Sequence, residues 1–91
     1  MDYESIAKIM KTIAHPDRIR IAQLLKGKEM NVSDIHKKLD LKQAVTSQHL
    51  TRMKDNGLLS SRRSGNTVFY SLTAPEVMRV IGCIEDCGKN R

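Results

Sequence analysis

The first third of the chain carries apolar residues at helical spacing. Between positions 2 and 14 they fall on one helical face, which predicts a first helix over residues 2–14. These apolar residues are Ile6, Ile9, Met10 and Ile13. Pro16 follows, and proline suits the first turn of a helix because its missing N–H has no partner there. We therefore predict a second helix that starts near Pro16 and has Gly27 as its C-cap.

Two further helical patterns follow, separated by a tight turn at Asp40 and Leu41. The third helix begins near Asn31 or Ser33, either of which is a good N-cap. The fourth is predicted over residues 43–56, with Gly57 closing it. Its expected core contacts are Val45, Leu50 and Met53. A pair of helices joined in this way is typical of a helix-turn-helix, which places its second helix in a DNA major groove.

The region after the fourth helix changes to an alternating pattern. Residues 58–63 and 67–72 predict two strands around the turn cluster at 64–66. Apolar residues at helical spacing then predict a last helix over 74–87. The predicted order is α-α-α-α-β-β-α, which is a mainly α fold with a small β-hairpin. A helix-turn-helix followed by a hairpin is a winged helix, and we assign the whole chain, 1–91, to one such domain.

The charge of the chain favours a polyanionic partner. The net charge is +6, and the segment 42–70 contributes five basic residues against one acidic residue, or +4. This concentration of positive charge over the second half of the helix-turn-helix and the hairpin indicates nucleic acid. Only 3% of the residues are aromatic, so the core must come from aliphatic side chains, which suits helices.

Nine residues of the fourth helix and the hairpin are our predicted DNA contacts. Glutamine pairs with adenine in the major groove, serine reaches bases or phosphates, and alanine contacts a thymine methyl group. Adjacent strand residues point to opposite faces, so only one of the two hairpin arginines should face DNA directly. The alternative for Gln43, Ser47 and Gln48 is an ordinary solvated helix face, and for the arginines a solvated hairpin. We expect the histidine to be packed or to contact phosphate, and not to be a ligand. The nine are Lys42, Gln43, Ala44, Ser47, Gln48, His49, Arg52, Arg62 and Arg63.

Other classes of protein fit the sequence less well. No apolar run approaches the roughly 18 residues of a membrane span, and the acidic N-terminus lacks the pattern of a signal peptide. We therefore expect a cytoplasmic protein whose cysteines are reduced. The chain shows no set of nucleophile, base and orienting group, so we do not expect an enzyme. A winged helix that docks protein would carry an apolar or acidic surface, whereas this one is polar and basic.

The motifs together resemble the ArsR (ArsR/SmtB) family of small bacterial winged-helix repressors. The matching segments are 13–21, 32–35, 43–50, 57–59 and 68–72. The resemblance implies a homodimer joined through the first and last helices, at 2–14 and 74–87. It also implies repression through an inverted repeat in a double-stranded DNA operator, with release by a chemical signal. Gln43, Ser47 and Gln48 become the recognition-helix contacts.

The chain departs from the family pattern where members of the family sense metals. Asn31-Val32-Ser33 stands where arsenic-type members have Cys-Val-Cys, so that thiolate site is absent. The counterparts of the zinc ligands are roughly Ala74, Glu76, Cys87 and Asn90, which are not a zinc set. Lys42 stands where members often have a Ser or Thr N-cap; lysine caps poorly but can reach a phosphate.

Cys83 and Cys87 are the remaining candidates for sensing. They lie four positions apart on the predicted last helix and so share a face. Such a pair can bind a soft metal or arsenite, or undergo reversible thiol modification. It can equally be two small apolar residues in a dimer interface. A regulator without any metal or small-molecule sensing is therefore the alternative function.

Overall fold

The computed structural model describes residues 2–73, 77, 79, 82 and 83. Within these residues four helices and a three-stranded antiparallel sheet form a winged helix, as the sequence predicts. The helices and strands are α1 (Tyr3–Ile13), α2 (Pro16–Leu24), β1 (Met30–Asn31), α3 (Val32–Leu39), α4 (Gln43–Asp55), β2 (Leu59–Ser64) and β3 (Thr67–Leu72).

The predicted last helix lies mostly outside the described residues. The four described residues of this segment, Val77, Arg79, Gly82 and Cys83, are helical. Val77 is buried in the core, with 1% of its surface exposed. The predicted boundaries of this helix, 74 and 87, both fall outside the described part of the chain.

Side-chain caps define where the helices begin. Asp2 accepts a hydrogen bond of 2.7 Å from the Ser5 N–H at the start of α1. At the start of α3 the cap is Asn31 and not Ser33, because the Asn31 side chain accepts from the Asp34 N–H at 2.8 Å. The expected C-cap at Gly27 is wrong. Helix α2 ends at Leu24 with Leu25 as C-cap, and Gly27 (φ +73°) lies in the turn that follows.

The junction between α4 and β2 sets the position of the hairpin. The Gly57 N–H donates to the Lys54 carbonyl and the Leu58 N–H donates to the Met53 carbonyl, at 3.1 and 2.9 Å. These two bonds, with Gly57 at φ +85°, make the Schellman motif that closes many helices. Leu58 and Met53, which such a motif brings together, are both fully buried. Leu58 therefore belongs to the helix end, and β2 begins one residue later than predicted.

The sheet has one strand more than the sequence predicts. The predicted hairpin is present as β2 and β3, but β3 also pairs with the two-residue strand β1, giving the order β1-β3-β2. In this register Asn31 and Arg62 both lie opposite Phe69, on either side of it. The same sheet thus links the start of α3 to the hairpin.

The core lies beneath α4. Of the three predicted contacts, Leu50 and Met53 are fully buried and Val45 is half-buried. The other fully buried apolar residues in the described part of the chain come from α2, the turn that follows it, α3, the α4–β2 junction and the segment after β3; they are Ile21, Ala22, Leu25, Ile35, Leu58 and Val77. Among the described helices none has the length and hydrophobicity needed to cross a membrane.

Candidate nucleic-acid interface

Helix α4 has a buried face and an exposed face. The buried residues repeat at three and four positions, which is one face of a helix. They are Thr46, His49, Leu50 and Met53. Burial of this face holds the helix on the core and leaves its other side to solvent.

The exposed face carries the polar side chains that are predicted to contact bases. Gln43 and Ser47 lie four positions apart, as do Ala44 and Gln48, so the four residues form adjacent rows near the N-terminus. All four are exposed. None of their side chains makes a hydrogen bond or ion pair within the described part of the chain, so their polar atoms are available to a partner.

Two basic residues border this face. Lys42 is the N-cap residue of α4, and as expected its side chain makes no capping hydrogen bond. The free N–H groups at this helix end attract phosphate, and the exposed Lys42 side chain adds a positive charge beside them. Arg52 lies further along and borders an open groove of about 470 Å³ that also contacts Ser47 and Gln48.

His49 lies on the inner face of α4. Only 9% of its surface is exposed, and its Nδ1 accepts a hydrogen bond of 3.1 Å from Nε of Arg18 in α2. Burial, followed by the nearby His15 and Arg18, lowers the pKa of His49, whereas Asp17 opposes this shift. This position revises the expected role of His49, because a buried side chain bonded to α2 is poorly placed to touch DNA. The alternative of a packed histidine fits the structure better.

The arginine at position 62 is engaged within the protein. Its Nε lies 2.9 Å from each carboxylate oxygen of Glu29, and its Nη2 also donates to Oε1. The guanidinium carbon lies 4.8 Å from the centre of the Phe69 ring, in a cation–π contact. The ion pair lowers the pKa of Glu29 and raises that of Arg62. The positive charge of Arg62 is therefore neutralised within the protein by the Glu29 carboxylate.

Arg63 is the arginine of the hairpin that remains available. It lies opposite Val68 in the β2–β3 ladder, is exposed, and forms no ion pair with any residue that the structure describes. Since adjacent strand residues point to opposite faces, Arg63 and Arg62 lie on different sides of the hairpin. Eight of the nine predicted contacts are thus exposed, and Arg62 alone among these eight is bound in an ion pair.

Three residues that lie beside His49 have no role predicted from the sequence; they are His15, Asp17 and Arg18. His15, Asp17 and His49 place one possible metal-ligand atom each within 4.8 Å of one another, the one such group among the described residues. Arg18 adjoins them through its bond to His49. His15, Asp17 and Arg18 lie in the family-like segment 13–21, but nothing in the sequence shows that Arg18 packs against a residue 31 positions away.

Part of the predicted sensing pair can be located. Cys83 is exposed and helical. Cys87 lies outside the described residues, so the structure tests neither a metal site, nor a thiol pair, nor an interface at these two positions.

The fold and this surface define a winged-helix DNA-binding protein. The sequence profile of the family described as "Bacterial regulatory protein, arsR family" matches residues 15–61, from the start of α2 into β2. The chain belongs to this family of transcription regulators, as its motifs suggested.

Similar proteins of known structure share this fold. The chain is 39% identical over 82 residues to the transcriptional repressor PagR of Bacillus anthracis, covering 89% of this chain and 82% of PagR. The PagR crystal structure superposes with a TM-score of 0.81. HlyU from Vibrio cholerae, named a transcriptional activator, superposes with a TM-score of 0.87 at 29% identity, covering 96% of this chain and 97% of HlyU. A homodimeric winged helix-turn-helix domain from Mycobacterium bovis shares the fold, with a TM-score of 0.86 at 24% identity, covering 97% of this chain and 82% of that one.

Proposed function

We propose that this chain is a homodimeric transcriptional repressor that reads an inverted-repeat operator with α4 of each protomer. The observation that carries the proposal is the exposed polar row on α4, formed by Gln43, Ser47 and Gln48, none of which has a partner within the described residues. Lys42 and Arg63 border this row with positive charge. Glutamine side chains pair with adenine, and flanking lysine and arginine contact phosphates, so the surface combines base recognition with positioning.

The direction of regulation is proposed from a relative. PagR, which is 39% identical, is named a repressor, whereas HlyU is named an activator. A repressor acts by occupying its operator, so a DNA-binding surface such as the one proposed on α4 is sufficient for this role. We also propose that the protein works in the cytoplasm, where bacterial DNA is located.

The exposed apolar residues of α1 support the proposed dimer. Tyr3 is 91% exposed and Met10 54% exposed, and their separation of two helical turns puts them on one face. Large apolar side chains at the surface of a small domain often mark an interface. We propose that residues 2–14 and 74–87 form this interface, as the family resemblance implies.

DNA binding and assembly are tested with the same protein. Fluorescence anisotropy on the DNA upstream of its own coding region, against a scrambled duplex, should show sequence-specific binding that weakens steeply with salt. Sedimentation equilibrium should give twice the monomer mass, and Met10→Lys should shift it toward the monomer. The control is Ser60→Lys, which adds the same charge at an exposed position away from α1. Met30→Lys is unsuitable as a control because Met30 packs against the core. Equal binding to both duplexes, or a monomeric wild-type protein, would contradict the proposal.

Release by a chemical signal rests on Cys83 and Cys87 and remains a prediction. The exposure of Cys83 supports access of a reagent to that thiol. Intact-mass analysis after treatment with arsenite, zinc, peroxide, or sulfide together with peroxide as the oxidant, with operator binding by Cys83→Ser and Cys87→Ser, separates the three possibilities. An adduct that lowers DNA affinity would indicate sensing. Unchanged mass and unchanged affinity under every condition would favour packing, and with it a regulator that has no sensing function.

A further inference from the structure

One arginine connects α1 and α2 to the recognition helix. Arg18, in the first turn of α2, donates from Nη1 to the carbonyl oxygen of Thr12 at 3.1 Å and from Nε to Nδ1 of His49 at 3.1 Å. Thr12 lies in the last turn of α1, where a positive charge interacts favourably with the helix dipole. A planar guanidinium fixes the directions of its donors, so the two bonds together orient α4 relative to α1.

The orientation of His49 affects the neighbouring DNA-facing residue. His49 is on the inner face of α4, while Gln48, the residue before it, is on the outer face. A rotation of α4 that moved the His49 ring away from Arg18 would turn Gln48 by the same angle. The bond to Arg18 therefore opposes rotation of the polar row.

The hydrogen bonds also determine where the protons of the two histidines lie. Nδ1 of His49 accepts from Arg18, and Nδ1 of His15 accepts from the Asp17 N–H at 3.1 Å. When neutral, each ring must then carry its proton on Nε2. Nε2 of His49 is 3.9 Å from Oδ2 of Asp17. We call the contacts of Arg18 with Thr12 and His49 the joint. The joint needs His49 to be uncharged, because an imidazolium has no acceptor left for Arg18.

The same hydrogen bonds oppose metal binding by His15, Asp17 and His49. A metal held by Nε2 of His49 would move the ring proton to Nδ1, where it would face the N–H of Arg18. Metal-bound histidines normally donate their other N–H to an acceptor, and arginine cannot accept. The proximity of these three residues is therefore better explained by the joint than by a metal site.

We propose that Arg18 and His49 are positioning residues for DNA binding, and that protonation of His49 releases the recognition helix from α2. The inference rests on the proposed role of α4 as the reading helix. The groups facing His49 are His15 from the α1–α2 junction, with ring centres 4.7 Å apart, and Asp17 and Arg18 from α2. Arg52 lies one turn further along α4. Asp17 favours protonation of His49, but burial, followed by His15 and Arg18, outweighs it and lowers the pKa of His49.

The expected pH dependence has a definite sign. Because the folded protein lowers the pKa of His49 from its usual 6.5, the joint is intact above that value and is lost as the pH falls through the lower, folded value. Operator affinity should therefore fall on acidification. Simple charge effects predict the reverse, since a more positive protein binds the DNA polyanion more strongly. The direction of change separates the two explanations.

The test compares operator affinity at about pH 7.5 and about pH 5.5, at constant ionic strength, in four proteins. We expect the wild-type protein to lose operator affinity on acidification. His49→Gln should lose this pH dependence, because the glutamine oxygen accepts from Arg18 at both pH values. His36→Gln, in α3, is the matched control and should keep it. Arg18→Met should bind more weakly than wild type already at the higher pH.

A second measurement reads the joint without DNA. The ring nitrogen spectrum of ¹⁵N-histidine-labelled wild-type protein should show His49 at neutral pH with Nε2 protonated and Nδ1 as acceptor. A proton on Nδ1, or equimolar zinc chloride displacing the Nε2 proton of His49, would overturn the assignment. Sequence-specific binding that strengthens on acidification, or the same pH response in His49→Gln, would also overturn it while leaving the proposed function intact. Absence of specific DNA binding by the wild-type protein would overturn both.

Discussion

The recognition helix and the hairpin present polar groups to a partner in different ways. On α4, Gln43, Ser47 and Gln48 are exposed and make no side-chain bond to the described residues, and the helix beneath them is fixed by buried contacts. On the hairpin, Arg62 is bound to Glu29 and rests on Phe69, while Arg63 is available. The helix thus offers unpaired polar groups on a fixed support, whereas the hairpin offers one free positive charge and one that is neutralised, and we therefore expect α4 and not the hairpin to recognise bases.

The largest effect should come from removing the support of the recognition helix. Leu50 is fully buried on the inner face of α4. Leu50→Ala leaves a cavity there, and we expect the free energy of unfolding to fall by about 2–5 kcal/mol in urea denaturation. Ser47→Ala, on the exposed face of the same helix, should change it by no more than about 0.5 kcal/mol. Similar losses in both variants would mean that the two faces of α4 are wrongly assigned.

Replacing the glutamines should remove recognition without removing the fold. Gln43→Ala combined with Gln48→Ala should weaken operator binding by about 10- to 100-fold, because a bidentate pair with a base contributes about 1–3 kcal/mol of discrimination. Affinity for a scrambled duplex should change little, since phosphates dominate non-specific binding. Anisotropy titrations on both duplexes make this comparison. Parallel losses on both would assign the glutamines to backbone contact instead.

The two hairpin arginines should differ in a smaller effect. Arg63→Ala should weaken binding to both duplexes alike and reduce the slope of log affinity against log salt by about 2, as expected for one lost phosphate contact in each protomer of the dimer. Arg62→Ala should change the slope less, because Glu29 already neutralises that charge. Equal changes in slope would show that the ion pair opens when DNA binds.

The smallest effect should come from releasing Arg62. Glu29→Gln removes the charge of its partner, and we expect a rise of about 2- to 3-fold in affinity for a scrambled duplex at low salt. Glu4→Gln makes the same change of net charge on α1 and should have less effect. Because Arg62 lowers the pKa of Glu29 below its usual 4.5, the ion pair should persist on acidification to about pH 5. A loss of the pair near pH 6, followed by the Arg62 Nε resonance, would contradict this.

The sequence predicts those features that depend on neighbours along the chain. The helices, the cap at Gly57 and the hairpin follow from local patterns and turn residues, and so does the division of α4 into two faces. Strand β1 was missed because Met30 and Asn31 are too few residues to show alternation. The bond from Arg18 to His49 and the ion pair from Glu29 to Arg62 join residues 31 and 33 positions apart, so only the folded chain brings them together.

Direct recognition of adenine by α4 is the central claim, and a double-mutant cycle between protein and DNA tests it most directly. Replacing each operator adenine in turn by 7-deazaadenine removes the N7 acceptor that glutamine uses. We predict that replacing one of these adenines weakens binding by the wild-type protein, and that this effect is absent in Gln43→Ala or in Gln48→Ala. The coupling free energy between that adenine and that glutamine should be about 1–3 kcal/mol. Strictly additive losses at every adenine, for both variants, would contradict the claim.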